Sequence, residues 1–139
     1  MKVLALDYGS ARTGVAVSDP TGTVARPLGV VERAATQAGI ARILELARDE
    51  DVERIVVGLP ITLRGERGAQ AEETDRFVEL LQTATDLPIE SFDERFTTKL
   101  AKQTGRGRAK RPPVRAPQDA RAAAHLLTTY LTWKSARPT

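Results

Sequence analysis

LALDYGSARTG, residues 4–14, sets the frame for the rest of the chain. Three apolar residues lead to Asp7, the chain breaks into Tyr8-Gly9-Ser10, and apolar character resumes after Gly14. The pattern predicts a buried strand over 2–7 (KVLALD), a Gly/Ser/Arg turn and a second strand over 13–19 (TGVAVSD), and so a hairpin. A carboxylate at the end of a buried strand is costly unless something pairs with it. Two readings of Asp7 follow. In one, Asp7 bonds its own backbone in a turn whose Gly9 tolerates positive φ. In the other, Asp7 holds a cation, or a phosphate through a cation.

VARPLGVVER, 24–33, continues as a third strand, and Pro27 marks it as an edge or a bulge. From Thr36 to Asp49, Ile40, Ile43, Leu44 and Ala47 recur at helical spacing. RIVVGLP, 54–60, is an apolar run ended by Gly and Pro, as in a strand buried on both faces. Residues 61–68 hold Gly65 and Gly68 and read as a loop. A second helix is expected over 69–84 with Phe77, Leu80 and Leu81 inward, then a short strand over 87–92 (LPIESF). A short helix is expected over 98–104. GRGRAKRPPVRAP, 105–117, predicts a mobile basic loop. A final helix runs from Gln118 to about Trp133, carrying Ala122, Ala123, Leu126, Leu127, Tyr130 and Leu131.

The order β-β-β-α-β-α-β-α-α describes an antiparallel meander followed by crossover units. Right-handed crossovers make the later strands parallel to the first and put helices on both faces, giving an α/β fold on a five-stranded mixed sheet. The 139 residues suffice for a single domain, 1–139, and not for two ordinary ones. Asp7, Gly58 and Phe92 then end three strands that can be neighbours, and ligands of such sheets gather at the carboxyl ends of strands.

Composition excludes several chemistries. The chain has no cysteine and one histidine, His125, so thiolate zinc sites, imidazole-based zinc hydrolysis and His triads are ruled out. Nor does any apolar run approach the roughly 20 residues of a membrane span. The opening MKVLALDYG has too short an apolar stretch for a signal peptide. A reducing, cytoplasmic setting is the expectation. Between Arg95 and Arg115 lie eight basic residues and no acid, whereas the remainder of the chain has 13 basic and 18 acidic residues. Such a patch is an electrostatic footprint for a polyanion, or else a solvated loop.

Four carboxylates fall at the same sheet edge: Asp7, Asp93 and Glu94 just past the last strand, and Asp119 in the first turn of the final helix. Asp119 has a structural role available near a helix N-terminus, as has Asp93 in capping a turn. Together, acids from separate segments also match what a two-metal nuclease needs, since Mg²⁺ or Mn²⁺ takes oxygen ligands and two such ions clamp a scissile phosphate. Arg12, Arg95 and Lys99 lie near these acids in sequence and can neutralise phosphates. Tyr8 can stack a base or pack. His125 lies about 240° round the helix from Asp119 and reads as structural, and Asp19 as a turn residue at the far end of the hairpin.

LALDYGSARTGVAVSD, IVVGLPITLRGERGAQA, FDERFTT and QDARAAAHLL, taken in that order, resemble the YqgF family, also called RuvX or Holliday-junction-resolvase-like. The resemblance implies a ribonuclease H-like fold and kinship with candidate pre-16S ribosomal RNA nucleases. It places the family's acidic positions, as catalytic and metal-binding residues, on Asp7, Glu94 and Asp119. Its GLP block falls on Gly58-Leu59-Pro60, and its glycine loop on Gly65 and Gly68. The Arg- and Pro-rich stretch 105–117 departs from the family pattern, so its substrate contacts do not carry over.

The leading expectation is an endonuclease dependent on Mg²⁺ or Mn²⁺, with two ions when substrate is bound. It would act on branched DNA or a structured ribosomal RNA precursor, with phosphates gripped by Arg12, Arg95, Lys99, Arg106, Arg108, Lys110, Arg111 and Arg115. A four-way junction needs paired cuts and favours a homodimer; trimming an RNA precursor does not. A non-catalytic nucleic-acid-binding module is the alternative. Less favoured is an actin-like ATPase-type phosphate-binding domain, because that machinery holds nucleotide between two such domains.

Overall fold

The computed structural model describes residues 1–59, 68–93 and 118–136. Pro60, Gly65, the expected helix over 98–104 and the basic stretch 105–117 lie outside them. The described elements are β1 (Val3–Asp7), β2 (Arg12–Ser18), β3 (Ala25–Glu32), α1 (Gln37–Asp49), β4 (Arg54–Leu59), α2 (Ala69–Ala84), β5 (Ile89–Asp93) and α3 (Gln118–Ser135). They build one five-stranded sheet in the order β3-β2-β1-β4-β5. β1, β2 and β3 form the antiparallel meander, and β4 and β5 run parallel to β1.

Side chains alternate across β1, so Leu4 and Leu6 share one face while Val3 and Ala5 share the other. On the first face Val15, Val17, Ile55 and Val57 join them beneath Ile40 and Ile43 of α1 and Phe77 and Leu81 of α2. On the second, Ala16, Val56 and Phe92 pack against Ala123, Leu126, Leu127 and Tyr130 of α3. Ala5, Ala16 and Ala123 are all small, which lets α3 lie close to the strands. β4 is buried on both faces, as its continuous apolar run predicts.

β3 is an edge strand, and the register with β2 shifts so that Val15 faces Gly29 and Ala16 faces Pro27. Leu28 is the extra residue of that bulge, so Pro27 marks both an edge and a bulge. α1 starts where Thr36 caps it, its hydroxyl oxygen accepting from the Gly39 N–H at 3.1 Å. In α2 one expectation fails. Leu80 is 44% exposed, and the inward stripe is Thr74, Phe77, Val78 and Leu81. At 100° per residue Leu80 falls outside that stripe, which Val78 completes. No described helix is long and apolar enough to cross a membrane.

Candidate active site

Asp7 ends β1, half-buried, with the parity of Val3 and Ala5 and so on the α3 side of the sheet. The next residue turns the other way. Tyr8 is buried on the α1/α2 side, stacked on Phe77 with ring centroids 4.5 Å apart, and its hydroxyl donates to Glu73 Oε2 at 2.9 Å. Burial, reinforced by the Glu73 carboxylate, pushes its phenol up to about 12. Tyr8 therefore packs; it anchors the hairpin turn to α2 and presents no face for a base. The turn itself is tight. The Gly9 N–H donates to Thr13 Oγ1 and the Thr13 hydroxyl donates to the Gly9 carbonyl, both at 3.3 Å. A Cβ on Gly9 would come within 2.5 Å of the Arg12 carbonyl oxygen, so this position is restricted to glycine by close approach.

Gly14 stands opposite Asp7 in the β1–β2 ladder and shares its face. The N-terminus of α3 rests directly on it: a Cβ there would overlap the Asp119 carbonyl group. Asp7, Gly14 and the first turn of α3 thus meet at one corner of the sheet. The sequence holds a signal for this contact, since an isolated glycine within a strand pattern marks close approach of another backbone. Asp119, half-buried, lies in that first turn, where a carboxylate is favoured by the helix dipole. Its Oδ2 is paired with Arg12 Nε at 3.2 Å. Arg12 begins β2, opposite Glu32 of β3. This Arg12–Asp119 pairing joins residues far apart in sequence and has no local signature.

On the other side of β1, Leu6 pairs with Val57, so the following residues Asp7 and Gly58 stand at the same level. Gly58 in turn pairs with Phe92, and Leu59 with Asp93. Phe92 belongs to the α3 side, which places Asp93, by alternation, on the opposite face from Asp7. Glu94, Arg95, Lys99, Arg106, Arg108, Lys110, Arg111 and Arg115 lie outside the described residues. Two of the three predicted acids are therefore described, at adjoining positions. Among the described residues no group of three His, Cys, Asp or Glu side chains forms a ligand set. The donors present are hard oxygens of the kind Mg²⁺ and Mn²⁺ prefer, and a guanidinium cation already sits on one of them, so the corner fits a cation in chemistry and charge.

Residues 1–133 match the family model described as RuvX: Holliday junction resolvase. The chain belongs to the RuvX (YqgF) family. A RuvX relative named "Putative pre-16S rRNA nuclease" from Chloroflexus aurantiacus is 42% identical over 137 residues, 98% of this chain and 90% of the relative. Another of that name, from Rubrobacter xylanophilus, is 46% identical over 134 residues, 94% of this chain and 91% of the relative. Among solved structures, Thermus thermophilus RuvC in complex with Holliday junction substrate is similar at a TM-score of 0.60 and 20% identity, covering 97% of this chain and 96% of that one. That likeness identifies the RuvX fold here as ribonuclease H-like.

His125 is exposed on α3. Asp19 closes the far end of the hairpin: its carboxylate accepts from the Thr21 hydroxyl and the Thr23 and Val24 N–H groups, which hold it down at about 2.

Proposed function

We propose that the chain is a divalent-metal-dependent endonuclease that hydrolyses phosphodiester bonds in structured nucleic acid, with residues 1–139 acting as one nuclease domain. The observation that carries the reading is the corner at Gly14, where the end of β1 bearing Asp7 meets the first turn of α3 bearing Asp119. Asp7, Asp119 and Glu94 would hold Mg²⁺ or Mn²⁺. Glu94 directly follows β5 in the sequence. When bound, such ions supply an activated water and stabilise the leaving oxygen. The chain's own residues do the rest: the acids would hold the ions in place, while Arg12, Arg95 and Lys99 would neutralise flanking phosphates.

The basic residues Arg106, Arg108, Lys110, Arg111 and Arg115 would grip the nucleic-acid backbone away from the cut. The relatives' name supports a ribosomal RNA precursor, and so a cytoplasmic site of action. Trimming such a substrate asks for no two-fold symmetry, whereas resolving a four-way junction would ask for a homodimer.

The test incubates purified protein with a structured ribosomal RNA precursor and with branched DNA, in Mg²⁺, Mn²⁺ or EDTA, beside Asp7→Asn and Glu94→Gln. Cleavage that needs the ion and disappears in both variants supports the proposal. Binding without cleavage under every condition would instead make the chain a binding module, and ATP turnover without nucleic acid would make it an ATPase.

A further inference from the structure

We infer that Arg12 is a displaceable counter-cation for Asp119: it holds the carboxylate when no divalent ion is bound, must leave for the ion to load, and is then free to take a substrate phosphate. The inference rests on the reading of Asp7, Glu94 and Asp119 as ion ligands, and adds to it a coupling between ion binding and substrate seating.

Three observations carry it. First, the pair is formed through Nε at 3.2 Å from Asp119 Oδ2, so one ligand oxygen is already engaged by a positive charge. A second cation at that carboxylate would face Coulomb repulsion as well as competition for the lone pairs. Second, the pair is breakable. The Arg12 side chain is 64% exposed and that of Asp119 36%, the range in which ion pairs are weak and water competes freely. Third, both ends stand on fixed backbone. Arg12 is two residues from Gly14, whose contact with the Asp119 carbonyl holds α3 against β2.

A released Arg12 therefore stays at the corner. Glu32 opposite it in β3 and Asp119 on α3 are acids on the two elements flanking it. The guanidinium fork matches a phosphate in charge and geometry, and a phosphodiester approaching the acids would draw it off Asp119. Ion and phosphate then help one another, and by linkage each tightens the other by the same factor.

The test measures Mn²⁺ binding to the full chain by electron paramagnetic resonance, without nucleic acid. The proteins compared are the wild type, Arg12→Gln, Arg12→Lys, Asp119→Asn and Arg42→Gln. The last removes the same charge from an exposed pair with Glu45 on α1. Arg12→Gln is expected to bind Mn²⁺ about two- to tenfold more tightly, allowing for a weak exposed pair plus relieved repulsion. Arg12→Lys should gain less, Arg42→Gln should match the wild type, and Asp119→Asn should bind more weakly.

In a second readout, the factor by which Mn²⁺ tightens binding of a DNA duplex, followed by anisotropy at constant ionic strength, should shrink in Arg12→Gln. Unchanged or weaker Mn²⁺ binding in Arg12→Gln, with Asp119→Asn still impaired, overturns the counter-cation role and leaves the ion site standing. An undiminished Mn²⁺ effect on duplex binding overturns the coupling. No Mn²⁺ binding in the wild type overturns both this inference and the metal-dependent reading beneath it.

Discussion

Gly14 and Asp119 are in backbone apposition: a methyl group on Gly14 would overlap the Asp119 carbonyl and lie 3.0 Å from the Ala120 nitrogen. Neither neighbour is the far end of a flexible side chain, so the helix itself would have to move. Gly14→Ala is expected to cost about 1–3 kcal/mol of stability, the range for forced overpacking. It should also displace Asp119 and lower cleavage more than the stability loss explains. Thermal denaturation beside an assay well below the melting point checks both, and an unchanged Tm with full activity would contradict the apposition.

Tyr8 ties the turn after Asp7 to α2 through Phe77 and Glu73. Tyr8→Phe keeps the stacking and removes the hydroxyl bond, with an expected loss of about 0.5–1.5 kcal/mol in denaturant unfolding. Retained metal binding in this variant would confirm that the phenol acts on the scaffold and not on the ion.

Both tyrosines of the chain titrate high. Tyr130 is raised to about 12 by burial and by its bond to Glu90 at 2.8 Å, and Tyr8 by burial and its bond to Glu73. A phenol whose pKa is higher folded than unfolded contributes stability that is fully present below the unfolded value of 10.0 and is lost as pH rises through the folded one. Stability should therefore fall between about pH 10 and pH 12, with phenolate absorbance appearing only late in that window. Absorbance developing near pH 10 in the folded protein would contradict both buried contacts.

The strands and helices are readable because their periodicities are local properties of the chain. Apolar alternation and the run RIVVGL point to the sheet, and the GLP and hairpin glycines mark its edge. The topology is enough to put the ends of β1 and β5 on one side. What stays hidden depends on contacts between distant segments. Gly14 reads as a residue of the second strand, but its place in the sequence does not say that the first turn of α3 is the backbone resting on it. Arg12 reads as a phosphate ligand, and nothing near it in sequence shows that it reaches Asp119. Hydrophobicity alone assigns Leu80 inward, but Val78 takes that place because the buried stripe follows Thr74, Phe77 and Leu81.

The eight basic residues from Arg95 to Arg115 carry the electrostatic prediction. Replacing Arg106, Arg108, Lys110 and Arg111 with glutamine should flatten the slope of log affinity against log salt by about 0.9 for each duplex phosphate left unneutralised. Binding isotherms over a salt series measure it. An unchanged slope would mean that these residues touch no phosphate.

If Asp7, Glu94 and Asp119 share divalent ions, crystals grown with Mn²⁺ should reveal it in an anomalous difference map. Density is expected at the corner beside Gly14, with oxygens of Asp7 and Asp119 in its coordination shell and Glu94 completing it. Density elsewhere, or none at saturating Mn²⁺ with Asp119 still paired to Arg12, would refute the shared site.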